Sequence, residues 1–295
     1  MAGTEPEGDI GVGAEGGVAL SVVIATRRRP ELLARCLARL AEQHGDHPYE
    51  VVVVNDDDEP LGLPGGDPRV RVVQTAVHGV AGARNSGVTA STGVIVAFTD
   101  DDVVPGPGWV DAVIAAFERH PRALAVCGPI VVEPFDRLYH HAPTPPPGVA
   151  CGANLAFRRE AYDALGGFDE RFRGWMPEDV DLAARARRLG SIAFAPAMVV
   201  RHPPRRVTFG ELVARGQVVE GTWLLFRKNP ELSRWRMPLR WGPPLAMARS
   251  WLRMLGDHRV VRGSPVRVVR IVGLAFGSGA VAMATAWRRW PGQAT

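Results

Sequence analysis

The chain has 295 residues, 46% of them hydrophobic and 22% charged, and its 35 Lys and Arg against 31 Asp and Glu leave a formal charge of +4. That length buries a full core and carries one large domain with an appendage. The basic residues thicken from Arg201 onward, without the cations interleaved with aromatics along a strand that suit nucleic acid. The charge therefore favours an anionic substrate or a membrane surface, and no nucleic acid.

Cys36, Cys127 and Cys151 are scattered and form no CxxC pair, which speaks against a disulfide framework or a zinc site and for a reducing cytosol. Residues 1–18, rich in Gly, Glu and Ala, lack the basic-then-apolar layout of a signal peptide and read as a disordered tail. Residues 18–25 are an apolar run that predicts a strand, followed by Thr26, three arginines ending in Arg29, and Pro30. Residues 30–41 carry Leu32, Leu33, Cys36, Leu37 and Leu40 at helical spacing. Strands are predicted over 49–54, which runs into Asn55, Asp56, Asp57 and Asp58, and over 69–74. A helix over 80–91 opens with small residues around Gly79, Gly82 and Gly87. These let backbone approach a ligand closely, with Arg84 and Asn85 as polar contacts; tight packing of the helix on a sheet explains the same glycines.

Residues 94–99 are dense in β-branched and apolar side chains, as in a strand buried on both faces, and they end in Asp100, Asp101 and Asp102. Three adjacent carboxylates repel one another unless a cation lies between them. A hard divalent ion, Mg²⁺ or Mn²⁺, sharing its sphere with substrate phosphates meets that need; the plainer reading is an acidic turn capping the next helix. A helix over 110–119 and a strand over 123–132 follow. Residues 134–148 hold five prolines and read as a loop long enough for a lid or an acceptor-facing flap. A strand over 149–157, a short helix over 159–165, a tight turn at 166–169, a helix over 179–189 ended by Gly190, and strand material over 192–200 come next. From 208 the pattern is helical, over about 208–228, 236–256 and 266–289.

This alternation predicts an α/β fold over residues 19–204, a doubly wound, mostly parallel sheet with its site along the strands' C-terminal edge. A helical extension over 205–295 follows. Glu178 and Asp179 stand at a helix start, where the helix dipole favours carboxylates, so they are either caps or a general base. Asp181 and Arg185, at i and i+4, fit a structural pair. His202 follows the last strand, a place open to a metal or phosphate ligand as well as to an ordinary hydrogen-bonded histidine. Residues 271–287 carry no charge and are flanked by Arg270 and by Arg288 and Arg289. That stretch is slightly short for a span and fits a buried helix or one lying in a membrane interface.

Taken in order, five of these elements resemble the family 2 glycosyltransferases of the GT-A fold. They are residues 21–26 (SVVIAT) with Arg29 and Pro30; 51–56 (VVVVND); Gly82, Arg84, Asn85 and Gly87; 98–102 (FTDDD); and 166–170 (GGFDE) followed by Glu178 and Asp179. The resemblance runs from about Ala19 to His202. It implies transfer of a sugar from a nucleotide-diphosphate-sugar donor, with inversion, to an acceptor hydroxyl on a glycan, a lipid-linked sugar or a small molecule. Thr26, Arg29, Asn55, Asp56, Arg84, Asn85, Asp100 and Asp101 are then on the donor side. Asp100 and Asp102 are the outer acids of a DxD motif that binds Mn²⁺ or Mg²⁺, with His202 reaching the metal or the diphosphate. Asp179 is the base, and Glu178 and Trp175 face the acceptor. The family often has two acids where this chain has Asn55 and Asp56. The Gln-x-x-Arg-Trp motif of processive members is missing, so a non-processive enzyme is implied, in the cytoplasm or peripheral at the membrane's inner face through residues 266–289. A sugar-phosphate nucleotidyltransferase would want a glycine-rich loop after the first strand, where Thr26 is followed by arginines. An inactive nucleotide-sugar-binding protein would have less need of the acids at 100–102 and 178–179.

Overall fold

The computed structural model describes residues 17–63, 66–134, 136, 139–141, 150–173, 177–214, 216, 218–232, 252 and 264–288. Trp175, most of the proline-rich loop and all of the expected helix over 236–256 except Leu252 lie outside the described residues. The chain divides into two compact units: residues 1–132, 143–170 and 182–203 make the first, and 133–142, 171–181 and 204–295 the second.

In chain order the strands are β1 (Leu20–Thr26), β2 (Tyr49–Asn55), β3 (Val70–Gln74), β4 (Ile95–Asp100), β5 (Val104–Pro105), β6 (Ala123–Cys127), β7 (Ile130–Val131), β8 (His140–His141), β9 (Asn154–Arg158), β10 (Ser191–Phe194), β11 (Val200–Arg201) and β12 (Arg205–Arg206). The helices are α1 (Pro30–Ala41), α2 (Val80–Ala90), α3 (Trp109–Arg119), α4 (Arg159–Ala164), α5 (Glu178–Leu189), α6 (Phe209–Ala214), α7 (Val218–Lys228) and α8 (Pro265–Arg288).

The first unit is built on a seven-stranded sheet in the order β10-β6-β9-β4-β1-β2-β3. Its pairs are parallel except for those of β9, which runs antiparallel to β4 and β6. Because successive strand residues face opposite ways, Val22 and Ile24 join one core with Leu33, Leu40, Trp109 and Phe117. Val23 joins the other, with Val54, Phe98, Phe157 and Tyr162. Both faces are thus covered, which is why β1, β2 and β4 are almost wholly apolar. Burial of each such side chain contributes about 1.5–3 kcal/mol. On one face α1 starts at Pro30, whose fixed φ suits the first helical turn. On the other, α2 lies close to the strands: a Cβ at Gly87 would meet Val23 and Val54 at 2.4 and 2.8 Å. Gly87 therefore serves helix–sheet packing.

Two expected strands are broken. Residues 123–132 split into β6 and β7 at Gly128, where a Cβ would lie 2.0 Å from the Met198 carbonyl. Residues 192–200 split into β10 and β11 around Pro196. The split frees β11 to pair antiparallel with β5 and parallel with β7. This small sheet, with the Gly106 N–H bonded to the Val199 carbonyl at 2.9 Å, brings the chain near 202 back beside the end of β4.

In the second unit α6 and α8 pack through Leu212, Ile271 and Leu274, with Val207 and Tyr139. The ribbon of β8 and β12 is antiparallel. The expected helix over 208–228 is two helices, α6 and α7. A Cβ at Gly216, between them, would stand 2.5 Å from the Ser278 carbonyl of α8. Helix α8 is long and apolar enough to cross a membrane by length and composition. Val266, Val269, Phe276 and Met283 are exposed on it.

Candidate active site

The C-terminal ends of β1, β2 and β4 lie level, with Thr26 opposite Asn55 and Ala25 opposite Asp100. Past β4 the chain turns, the Val103 N–H bonding back to the Asp100 carbonyl at 3.2 Å. The three acids part company there. Asp101 is buried and accepts the Thr26 hydroxyl at 2.8 Å and Arg29 Nη1 at 3.0 Å. Asp102 takes a longer contact from Arg29 at 3.3 Å and faces His202 Nε2 at 3.1 Å. Asp100 accepts Arg84 Nη2 at 2.8 Å. Arg84 is 3% exposed, and its guanidinium carbon lies 5.3 Å from the centre of the Phe168 ring.

Desolvation governs the electrostatics. It pushes the Asp101 carboxyl up to about 6, against the pull of Arg29 and the Thr26 hydroxyl. It likewise raises Asp100, with the neighbouring Asp102 adding to the shift and Arg84 and His202 opposing it. Desolvation alone would lower His202, but its bond to Asp102 and its contact with the Pro203 carbonyl hold it above its ordinary value. The same burial works against Arg29, and Asp101 and Asp102 outweigh it.

Asp100, Asp102 and His202 each offer one ligand atom, and these lie within 4.8 Å of one another. The donor set, two carboxylates and one imidazole, suits a hard divalent ion. His202 Nδ1 sits 3.0 Å from the Pro203 carbonyl. Donation there leaves Nε2 as the nitrogen that could ligate a metal, the orientation that outer hydrogen bonds give to metal-binding histidines. Carboxyls whose ionised form is disfavoured by burial are stabilised by a cation beside them. The residues present therefore fit Mn²⁺ or Mg²⁺.

Around this cluster stands a ring of expected site residues with work inside the fold. Asp56 accepts the Gly79 N–H at 3.1 Å on both oxygens and faces His78 Nδ1 at 3.0 Å, so it anchors the start of α2. Asn55 donates to the Glu59 carbonyl at 2.7 Å and to Gln74 at 3.0 Å. Asn85 accepts the Tyr162 hydroxyl and the Phe168 N–H at 2.6 and 2.9 Å, and donates to the Phe168 carbonyl and Glu170. It thereby pins the turn made by Gly166 and Gly167, whose φ values of 71° and 69° favour glycine. Arg28, at φ 54°, is the positive-φ residue other than glycine among those described, and it chelates Asp57 with two nitrogens.

One residue that sequence reasoning passed over is Gly152. A Cβ there would lie 2.5 Å from both terminal nitrogens of Arg84, so any larger residue would have to displace that guanidinium from its place against Asp100. No local pattern ties position 152 to 84. Glu178 and Asp179 belong to the second unit, on the first turn of α5. Glu178 is buried, and Asp179 accepts the Val180 N–H at 2.8 Å.

The sequence pattern described as glycosyl transferase family 2 matches residues 21–173, just over half of the chain. The chain belongs to that family. It is 30% identical over 207 residues to an N-acetylglucosaminyl-diphospho-decaprenol L-rhamnosyltransferase of Mycobacterium tuberculosis, covering 58% of this chain and 64% of that one. It is 28% identical over 218 residues to a validoxylamine A glucosyltransferase of Streptomyces hygroscopicus subsp. limoneus, covering 58% and 48%. The match thus spans less than two thirds of either relative. Among solved structures the fold resembles a mannosyltransferase from Pyrobaculum calidifontis in complex with GDP-Man and Mn²⁺, with a TM-score of 0.61 at 20% identity, covering 92% and 88%. It also resembles GalNAc-T7 with UDP, GalNAc and Mn²⁺, with a TM-score of 0.54 at 19% identity, covering 77% and 52%. These neighbours share the GT-A fold, the mixed α/β architecture expected for residues 19–204.

Proposed function

We propose that this family 2 member is a non-processive, inverting glycosyltransferase that moves a sugar from a nucleotide-diphosphate sugar to an acceptor hydroxyl. The observation that carries the reading is the cluster of Asp100, Asp102 and His202 at the sheet's C-terminal edge, flanked by Arg84 and Arg29. Asp100, Asp102 and His202 would hold a Mn²⁺ or Mg²⁺ ion, which would supply Lewis-acid stabilisation of the charge that develops on the departing diphosphate. Arg84 orients Asp100, and Arg29 orients Asp101 and Asp102. Thr26, Asn55, Asp56 and Asn85 hold the loops that shape the donor side. Asp179 takes the proton from the acceptor hydroxyl as that oxygen bonds to the anomeric carbon and the sugar–diphosphate bond breaks. A single displacement needs one base and no covalent nucleophile. Glu178 and Trp175 are assigned to the acceptor side by their places in the motif.

The enzyme works in the cytoplasm, with residues 266–289 in peripheral contact with the membrane. The exposed Val269 and Phe276 support this, and replacing both by Asp releases the protein from the membrane fraction if they anchor it. The transferase reading is tested by incubating the full chain with a panel of UDP-, GDP- and dTDP-sugars and measuring nucleoside diphosphate release. Release that requires Mn²⁺ or Mg²⁺ and stops in EDTA is expected. Binding of a nucleotide sugar with no release, even with acceptors supplied, would instead identify an inactive binding protein.

A further inference from the structure

The second unit holds a buried carboxylate that the chemistry above does not use. Asp181 lies on the first turn of α5, two residues after Asp179, and is fully buried. Lys228 Nζ donates to its Oδ2 at 2.7 Å, and Asn229 Nδ2 to its Oδ1 at 2.9 Å. Lys228 is the only lysine in a chain that otherwise uses arginine for its cations. Its ammonium stands 5.4 Å from the centre of the buried Phe172 ring. Asn229 is also fully buried, and both its backbone and its side-chain N–H groups bond to the Leu225 carbonyl, at 2.8 and 3.1 Å. Both oxygens of Asp181 are therefore held by the last residue of α7 and the one after it.

A buried ion pair adds little net stability over an apolar pair of similar volume, because the desolvation of both charges offsets their attraction. What it adds is direction: two hydrogen bonds of fixed length hold a carboxylate in one place, where two apolar side chains can slide. The turn held in this way is the one that carries Glu178 and Asp179. It is closed by the Asp181 N–H bonding to the Pro177 carbonyl at 3.1 Å, so residues 177–181 are held as a unit. A proton acceptor depends on such placement, since a misplacement of about 1 Å can cost ~100-fold in rate.

We infer that Lys228, with Asn229, is a positioning residue that acts through Asp181 to set the Glu178–Asp179 turn. The inference rests on Asp179 being the base. It extends the active machinery to the end of α7, about fifty residues beyond the motif.

The test uses the full chain, Mn²⁺, and the nucleotide sugar of the panel that gives the most metal-dependent nucleoside diphosphate release, with water as acceptor. Lys228→Met keeps the stem over Phe172 and removes the charge. Its turnover is expected to fall about 10- to 100-fold with donor affinity by calorimetry nearly unchanged, while the melting temperature drops because Asp181 is left buried without its countercharge. Lys228→Arg, which can still reach Asp181, should recover most of the rate. The deciding readout is the double variant: with Asp179→Asn already present, Lys228→Met should cost less than about twofold, because a residue that acts through Asp179 has nothing left to act on. Turnover of Lys228→Met within about twofold of the unsubstituted protein, or an equal loss in the Asp179→Asn background, overturns the inference. If Lys228→Met does not fold, Asp181→Asn/Lys228→Met removes both charges together and carries the same comparison. An Asp179→Asn variant of full activity overturns the base assignment and this inference with it. An inactive Asp179→Asn beside an unaffected Lys228→Met overturns this inference alone.

Discussion

At the N-terminal end of the sheet, Glu50 accepts the Ser21 hydroxyl, the Thr92 N–H and hydroxyl, and the Arg71 guanidinium. Desolvation works to raise this carboxyl, but those donors prevail and hold it at about 2. At the C-terminal end of the same strands, desolvation prevails instead: Asp101 rises to about 6 and Asp100 rises with it, despite Arg84 and Arg29. A carboxylate given enough donors is a stitch, here joining the starts of β1, β2 and β3 to the turn before β4. Carboxylates crowded together with too few donors remain in need of positive charge, and that is the state in which a fold holds a site for a cation.

The comparison breaks most visibly at Asp102. Asp102→Ala should reduce transfer by roughly 10³-fold or more and abolish Mn²⁺-dependent donor binding, since the ion contributes several kcal/mol of charge stabilisation. Activity that survives both this substitution and EDTA would remove the metal from the account. Next is Asp179→Asn, nearly isosteric but unable to take a proton at neutral pH. A fall of about 10²- to 10⁴-fold in turnover is expected at unchanged nucleotide affinity by calorimetry, with a smaller loss for Glu178→Gln. A fully active Asp179→Asn beside a dead Glu178→Gln would place the base one residue earlier.

Gly152→Ala probes the support of the acidic cluster without touching an acid. The added methyl must displace the Arg84 guanidinium, at a cost of about 1–3 kcal/mol in stability. The shift should also weaken the thermal stabilisation that Mn²⁺ confers. Melting curves identical to those of the unsubstituted protein, with and without Mn²⁺, would show that Arg84 moves freely.

The smallest effects concern pH, and they have opposite signs at the two ends. Glu50 is depressed in the folded chain, so its contribution is complete above the unfolded value near 4.3 and is lost as pH falls toward 2. Asp101 is raised, so the folded chain binds its proton more readily than the unfolded one, and in metal-free protein stability should increase as pH falls from about 6 toward 4. Denaturant melts across this range should show Glu50→Gln lessening the slope of the lower arm, which Glu50 shares with Asp57, Asp67 and Glu211, at a cost of about 1–2 kcal/mol near neutrality. Asp101→Asn should lessen the slope of the upper arm alone, because Asp100 is raised there as well. The same arm lost in both variants would mean that the two ends do not titrate independently.

Local chemistry determined a good deal of this molecule. The continuous apolar runs of β1, β2 and β4, the helical spacing of Leu33, Cys36 and Leu40, and Pro30 at a helix start are interactions between near neighbours, and α1 spans the residues that its pattern predicts. The three acids at the end of β4 were legible for the same reason, since like charges in sequence are also close in space. Tertiary structure decided what depends on partners far along the chain. His202 reaches Asp102, a hundred residues earlier, only because β11 leaves the main sheet to pair with β5 and β7. Strand β9 runs antiparallel because it inserts between β4 and β6, which its own residues do not encode. Asn85, which could as well have faced a ligand, turns to Tyr162 and Phe168, and Gly152 is small because Arg84 lies over it. Asp181 meets Lys228 across 47 positions. Sequence states what a side chain can do, and packing settles which of its possible partners lies within 3 Å, because a hydrogen bond or an ion pair is decided by distance and direction.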